Sequence, residues 1–346
     1  MKITVLRQPD LFEKLQPEWN ALLHRSLSDR VFSTWEWQSI WWSAYQPGEL
    51  WVLECRDEAG QLVGLAPWFI QEQPIRGRVV RGIGCVDVTD YLDIIVDSSC
   101  QQAVIDSIAC YLSQHRDEFD AIDLCNLPED SVAYTQLAPA LQAQEFSLDL
   151  IQQEVCPVIH LPSTWEDYLE LLDKKQRHEL KRKLRRVESA AEKIDWYLVS
   201  SEHDLDTELD RFLDLMAASH PSKAEFLIDS RNVDFFRRMS HALYQNGWLQ
   251  LSFLTIDGVA AAAYLNFTYR DRVLVYNSGL SIDTYGHLSP GIVLLAHNIK
   301  LAVERGYRVF DFLRGNEIYK YRMGGQDTRI FMLMTRNDAP EPGVIQ

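Results

Sequence analysis

No stretch of this chain is apolar for long enough to cross a bilayer: the longest runs, such as 259–265, fall well short of the roughly 18 residues a span needs and are bounded by charge or turn residues. The amino terminus, MKITVLRQPD, lacks the apolar core of a secretory signal and reads as a strand running into a turn. The expectation is a cytoplasmic protein with no membrane span. Cysteine is sparse and unpatterned. The six (Cys55, Cys85, Cys100, Cys110, Cys125, Cys156) form no CxxC or CxH spacing, so no metal site or disulfide is expected and they read as small core residues. Basic residues are scarce in the first half: residues 1–160 hold 10 Lys+Arg against 24 Asp+Glu, net −14, leaving 24 against 26 for the rest. A chain at −16 overall is a poor general binder of nucleic acid unless one basic stripe dominates locally.

What is present is an ordinary globular composition, 47% hydrophobic and 24% charged over 346 residues, enough for two domains. The chain reads as two similar passes, 1–160 and 161–346. In the first, a short strand and two helices precede an antiparallel meander, whose members include QLVGLAPWFIQEQ, RVVRGIG and YLDIIV. A helix, the buried strand AIDLCNL, a further helix and a closing strand pair follow. The second pass opens on one long helix, 164–193, and repeats the order through strands 248–256, 259–269 and 272–280, helix 290–306, strand 308–315, a short helical NEIYKYRMG and strand RIFMLMT. Helices, meander, helix, strand, helix, strand is not a doubly wound pattern. It predicts an α+β fold with mixed, mostly antiparallel sheets, one parallel pair in each, flanked by helices.

The stretch 289–324, SPGIVLLAHNIKLAVERGYRVFDFLRGNEIYKYRMG, resembles the acyltransferase domain of the CelD/BcsL-like acetyltransferase family, FemAB-related members of the GNAT superfamily. Ala302, Glu304, Gly306, the strand Phe310-Asp311-Phe312, Arg314-Gly315, and Glu317 with Tyr319-Lys320 carry the likeness; Gly82, Gly84 and Asp90-Tyr91-Leu92-Asp93 look like the segment such proteins have in their amino-terminal half. The resemblance implies tandem GNAT-like domains, transfer of an acyl group, acetyl first, from an acyl-CoA co-substrate to an amine on a small molecule, glycan or peptide, and a link to polysaccharide or cell-envelope synthesis. It leaves two rivals open. One is an aminoacyltransferase of FemAB type fed by aminoacyl-tRNA; the other is a non-catalytic module of a polysaccharide-synthesis system.

In such a fold the acyl group lies where two parallel strands, here 272–280 and 308–315, splay apart, and open strand N–H groups polarise its carbonyl. Phosphates of the donor are expected at the start of helix 290–306, with Ser289 as N-cap, Pro290 at the first helical position and Gly286 and Gly291 allowing close approach. The loop 284–291 departs from the superfamily's usual phosphate loop in lacking its arginine and second close glycine. Amine acylation needs a base, a donor to the carbonyl oxygen and an acid for the leaving group. Asp311, flanked by apolar residues, is the candidate base, with a structural carboxylate as the competing reading. Tyr319 or Tyr321 is the candidate acid. Glu317 and Lys320 complete the catalytic cluster, Lys320 as a phosphate or carboxylate binder.

One basic stripe does exist: 174–186 holds eight cations against one acid, Glu179. Arg177 and Lys181, spaced i, i+4, are the expected anion contacts, with Arg314; a solvated amphipathic helix is the alternative. Asp90, Tyr91 and Asp93 are candidate acceptor contacts, against a capped turn. His220 and His287 are further candidate bases, and Trp35, Trp37, Trp41 and Trp42 read as a pocket wall or as packing.

Overall fold

The computed structural model describes residues 1–85, 88–281 and 285–336. Two compact units form among the described residues, Met1–Glu154 with Thr328–Arg336, and Val155–Asp327.

The first unit contains β1 (Lys2–Leu6), α1 (Leu11–Leu23), α2 (Trp35–Tyr45), β2 (Glu49–Leu50), β3 (Val52–Arg56), β4 (Leu62–Ala66), β5 (Trp68–Gln73), β6 (Gly77–Gly82), β7 (Ile95–Val96), α3 (Gln101–Gln114), β8 (Ala121–Pro128) and α4 (Ala138–Ala143). β1, β3, β4 and β7 form one antiparallel sheet; β2, β5 and β6 run antiparallel, and β6 then pairs β8 in parallel. The apolar stripe Val104, Ile105, Ile108 and Leu112 of α3 is buried in one core with Trp51, Trp68 and Phe119, each such aliphatic side chain stabilising by about 1.5–3 kcal/mol. The tryptophans of α2 are packing residues: Trp37 and Trp41 are fully buried, Trp37 donates to the Thr89 hydroxyl at 3.1 Å, and Trp42 lies against Phe69.

Three expectations for this unit need correction. YLDIIV is not a strand beyond Ile95–Val96, because the Asp93 carboxylate is held by Ser28 Oγ at 2.6 Å and by the N–H groups of Ile94, Val132 and Ala133 at 2.8–2.9 Å. Those bonds bend the backbone out of a ladder. The closing strand pair is one strand, β9 (Ser147–His160). Cys85 and Cys125 are joined in a disulfide; they follow directly on the parallel pairs of β6 and β8, which end at Arg81↔Asp123, and a separation of 40 residues conceals that proximity. Cys55 and Cys156 are buried thiols.

The second unit holds residues 155–160 of β9, then α5 (Trp165–Leu171), α6 (Lys174–Glu188), β10 (Ile194–Leu198), α7 (Leu205–Ser219), α8 (Pro221–Phe226), α9 (Ser230–Gln245), β11 (Leu249–Ile256), β12 (Val259–Tyr269), β13 (Arg272–Leu280), α10 (Pro290–Glu304), β14 (Val309–Asp311) and α11 (Ile318–Arg322). The single opening helix is in fact two, broken where Asp173 turns and caps α6 by accepting the Gln176 N–H at 2.9 Å. β10, β11, β12 and β13 form an antiparallel meander, β13 pairs β14 in parallel, and β14 pairs β9 antiparallel. α10 is apolar on nearly every face, burying Val293, Leu294, Leu295 and Ile299. Its one buried amide, Asn298, is satisfied by Ser252 Oγ at 3.0 Å and Gln250 Nε2 at 2.9 Å, which fixes the helix on the meander. The last strand, β15 (Gln326–Arg336), returns to the first unit by antiparallel pairing with β8. No helix among the described residues is long and apolar enough to cross a membrane.

Candidate functional site

β13 and β14 pair over only three positions, Arg272↔Val309, Val273↔Phe310 and Leu274↔Asp311. Local chemistry on both strands ends the ladder there. On β13 the register against β12 shifts at Leu265/Asn266, a bulge that turns the strand. After β14 the backbone follows β9 instead: Phe312 N–H donates to Pro157 O at 2.9 Å and Gly315 N–H to Val155 O at 3.0 Å. Leu313 takes a left-handed φ of 56°, which costs energy for a branched residue and is held by two side chains. Asp311 Oδ1 accepts the Leu313 N–H at 2.8 Å. Lys320 Nζ donates to the carbonyls of Leu313, Arg314 and Gly315 at 3.2, 2.6 and 3.1 Å.

From residue 275 onward β13 therefore has β12 on one side and no strand on the other among the described residues. A cavity of about 260 Å³ opens there, walled by Tyr264, Ser278, Leu280, Ser289, Gly291 and Tyr319. Ile292 and Tyr319 also wall a wider cleft of about 720 Å³, whose far side is α6 with Lys174, Lys175, His178 and Lys183, and whose floor includes Arg322. The inner cavity is apolar and the outer cleft cationic. That pairing suits a ligand with an apolar reactive arm and an anionic head.

Gly291 lets α10 lie close to β13: a Cβ there would meet Leu280 Cδ2 at 2.6 Å, so any larger residue would have to displace the tip of that leucine. Gly286 faces no such demand, since nothing lies within 4 Å of its Cβ position. Ser289 occupies the N-cap position of α10 but adopts φ 53°, ψ 50° and makes no side-chain cap bond. Its hydroxyl instead accepts from Lys183 Nζ at 2.7 Å, and Arg186 donates to His287 O at 2.8 Å. The first turn of α10 thus opens into the cleft beside a lysine, two sources of positive potential in one place.

Burial, with Glu317 nearby, raises the Tyr319 phenol well above its ordinary value, and burial does the same to Tyr264. Both are protonated at neutral pH, so Tyr319, in the wall of both cavities, has an O–H to donate, as a weaker acid than an ordinary phenol. Tyr321 is exposed and bonded to Asp327 at 2.8 Å. The opposite shift occurs at Lys223 on α8, which burial pushes down to about 8; its Nζ donates to Ser278 O at 2.6 Å.

Of the residues singled out from sequence, Tyr319, Ser289, Gly286 and Gly291 come together at the cavity. Asp311 and Lys320 lie below it, buried at 1% and 2% exposure, their polar atoms engaged in shaping the turn; they hold the splay open and do not line it. Glu317 precedes α11, side chain 57% exposed and ion-paired to Lys320 at 2.9 Å. Arg314 offers its carbonyl to Lys320 and is not among the lining residues. Arg177 and Lys181 are not cleft residues either. Burial of Leu180 sets the phase of α6 so that Lys174, Lys175 and Lys183 face the cleft instead. Asp90, Tyr91 and Asp93 are buried within the first unit, and a cavity of about 10 Å³ beside Asp93 holds no more than a water. His220 caps α8 and His287 is exposed near Glu192. Lys223, Tyr264 and Ser278 escaped sequence reasoning.

Residues 174–321 match the family model described as an acetyltransferase (GNAT) domain. Among solved structures the chain resembles FemX, at 12% identity and TM-score 0.65, over 96% of this chain and 97% of that one. It also resembles L-PGS from Bacillus licheniformis, at 11% identity and TM-score 0.54 over 99% and 96% of the two chains. A third likeness is to the C-terminal domain of a protein described as a lysylphosphatidylglycerol synthetase of Agrobacterium fabrum, at 13% identity and TM-score 0.51 over 91% of each. No curated protein matches the chain by sequence. The chain has the fold of these proteins, a tandem GNAT-like α+β architecture, and its second unit holds the sequence pattern of an acetyltransferase (GNAT) domain.

Proposed function

We propose that residues 155–327 transfer an acyl group from an acyl-CoA to an amine. The observation that supports this most is the unzipped pair β13/β14, with an apolar cavity at the fork and a cationic cleft beyond it. The donor's thioester arm fits the inner cavity against the open edge of β13, and its phosphates fit Lys174, Lys175, Lys183 and the first turn of α10. Open backbone N–H groups of β13 polarise the acyl carbonyl. The amine attacks, the carbon–sulfur bond breaks, Tyr319 O–H protonates the departing sulfur, and the proton shed by the nitrogen returns to the Tyr319 oxygen.

The acceptor we propose is an amine on a glycan or peptide, consistent with the family likeness at 289–324 and with an open cleft. Aminoacyl-tRNA as donor is the second reading. It is favoured by the cations Lys181 and Arg185, exposed on α6 outside the cleft, more than a CoA head group needs.

A thermal-shift series against acetyl-CoA, longer acyl-CoAs and free CoA tests the reading. A donor at about 100 times its dissociation constant stabilises the fold by about 2.7 kcal/mol. Silence across that series, with a shift on adding aminoacylated RNA, would favour the second reading.

A further inference from the structure

The two faces of β13 have different company. A Cβ at Gly279 would meet Leu215 of α7 at 2.6 Å, so that position faces α7, while Ser278 and Leu280, its neighbours in the alternation, wall the cavity on the α10 side. α8 packs on α7 and extends Lys223 to the strand, where Nζ reaches the backbone carbonyl of Ser278 at 2.6 Å. That carbonyl belongs to the part of β13 that has left β14. A lysine amine thus reaches the fork from the α7–α8 side while the donor cavity occupies the α10 side.

We propose that Lys223 is itself an acyl acceptor, its Nζ taking the acyl group from a donor bound at the β13/β14 fork. This rests on the reading of the second unit as an acyltransferase. Burial favours the neutral amine, the form with a lone pair. In the step, the Nζ lone pair forms the bond to the acyl carbon and the carbon–sulfur bond breaks with its electron pair going to sulfur. Tyr319 O–H gives the sulfur its proton and regains one from Nζ. The products are an amide and a thiol, with no oxidant or further reactant. The amide no longer has a charge to set against Glu317, which acts on Lys223 electrostatically, and its bulk stays beside Ser278. Acylation would therefore shut the fork until reversed.

Incubating the intact protein with acetyl-CoA and mapping acetylated peptides tests this directly, with free CoA as the control. The expected result is one acetyl group per chain at Lys223, formed ahead of any label on Lys193 and Lys14, whose side chains are 80% and 68% exposed. Tyr319→Phe is expected to slow it at least about tenfold, and Lys223→Arg to abolish it. The unsubstituted protein answers the question even if that variant fails to fold. Label on exposed lysines alone, with acetyl-CoA still raising the melting temperature, overturns the inference and leaves the acyltransferase reading standing. Absence of both label and thermal shift overturns the two together.

Discussion

The two units contain the same device in two conditions. In each, a parallel pair of strands holds for three positions, β6 with β8 and β13 with β14, and then separates. In the first unit the gap is filled: Leu92 N–H bonds Asn126 O at 2.9 Å just past β8's pairing, and Leu92 forms a buried cluster with Cys85 and Cys125, themselves covalently joined. In the second, no chain enters the gap among the described residues, and about 260 Å³ remains beside a helix start and three lysines. A splayed sheet edge is thus not a site by itself. It becomes one when nothing apolar plugs it and when cations and a protonated phenol are arranged around it.

The largest expected effect separates the units by chemistry. Tyr319→Phe should lower the transfer rate by about 10²–10⁴-fold, the range for a lost general acid, while the thermal shift with acetyl-CoA persists; loss of the shift instead would mean that Tyr319 serves binding. The next attempts to turn the closed fork into an open one. Leu92→Ala should cost about 2–5 kcal/mol in denaturant unfolding without adding a second donor site in calorimetric titration, since the cations beside that gap, Arg76 and Arg81, are engaged by Asp123 and by Gln71 and Cys85.

Smaller effects sharpen the account of the open fork. Lys183→Ala should weaken acetyl-CoA binding about tenfold, about 1.4 kcal/mol, and flatten its salt dependence, whereas Arg177→Ala, outside the cleft, should leave both unchanged in titrations at two ionic strengths. The pH dependence is subtler still. A lysine reacts when neutral, and Lys223 is pushed down to about 8, so its acetylation rate should rise up to about pH 8 and then level. Lysines at the ordinary value of about 10.4 should keep gaining well beyond that, a contrast that peptide mapping across a pH series would reveal.

The sequence was informative where local pattern governs structure. Alternation and turn residues located the meander β11–β13, the Ser-Pro-Gly start marked α10, and the family likeness singled out Tyr319 or Tyr321. It was misleading where tertiary contacts govern. The stripe 177, 181, 184 has ideal helical spacing, yet burial of Leu180 turns Lys174, Lys175 and Lys183 to the cleft. Asp311 looks like a base because a carboxylate among apolar residues usually titrates oddly, but its backbone partner at Leu313 lies two residues away and shows only once the turn is folded. Asp93, which reads as an acceptor contact or a capped turn, is likewise engaged by backbone partners, here 39 and 40 residues distant. Lys223 had no local signal at all: its importance comes from Ser278, 55 residues on.

The most direct measurement is a crystal structure of the protein with acetyl-CoA. The account places the thioester between β13 and β14 beyond Leu274 and the phosphates among Lys174, Lys175 and Lys183. A donor seated in the first unit, or strands 272–280 and 309–313 found paired along their full length with the ligand elsewhere, would contradict it.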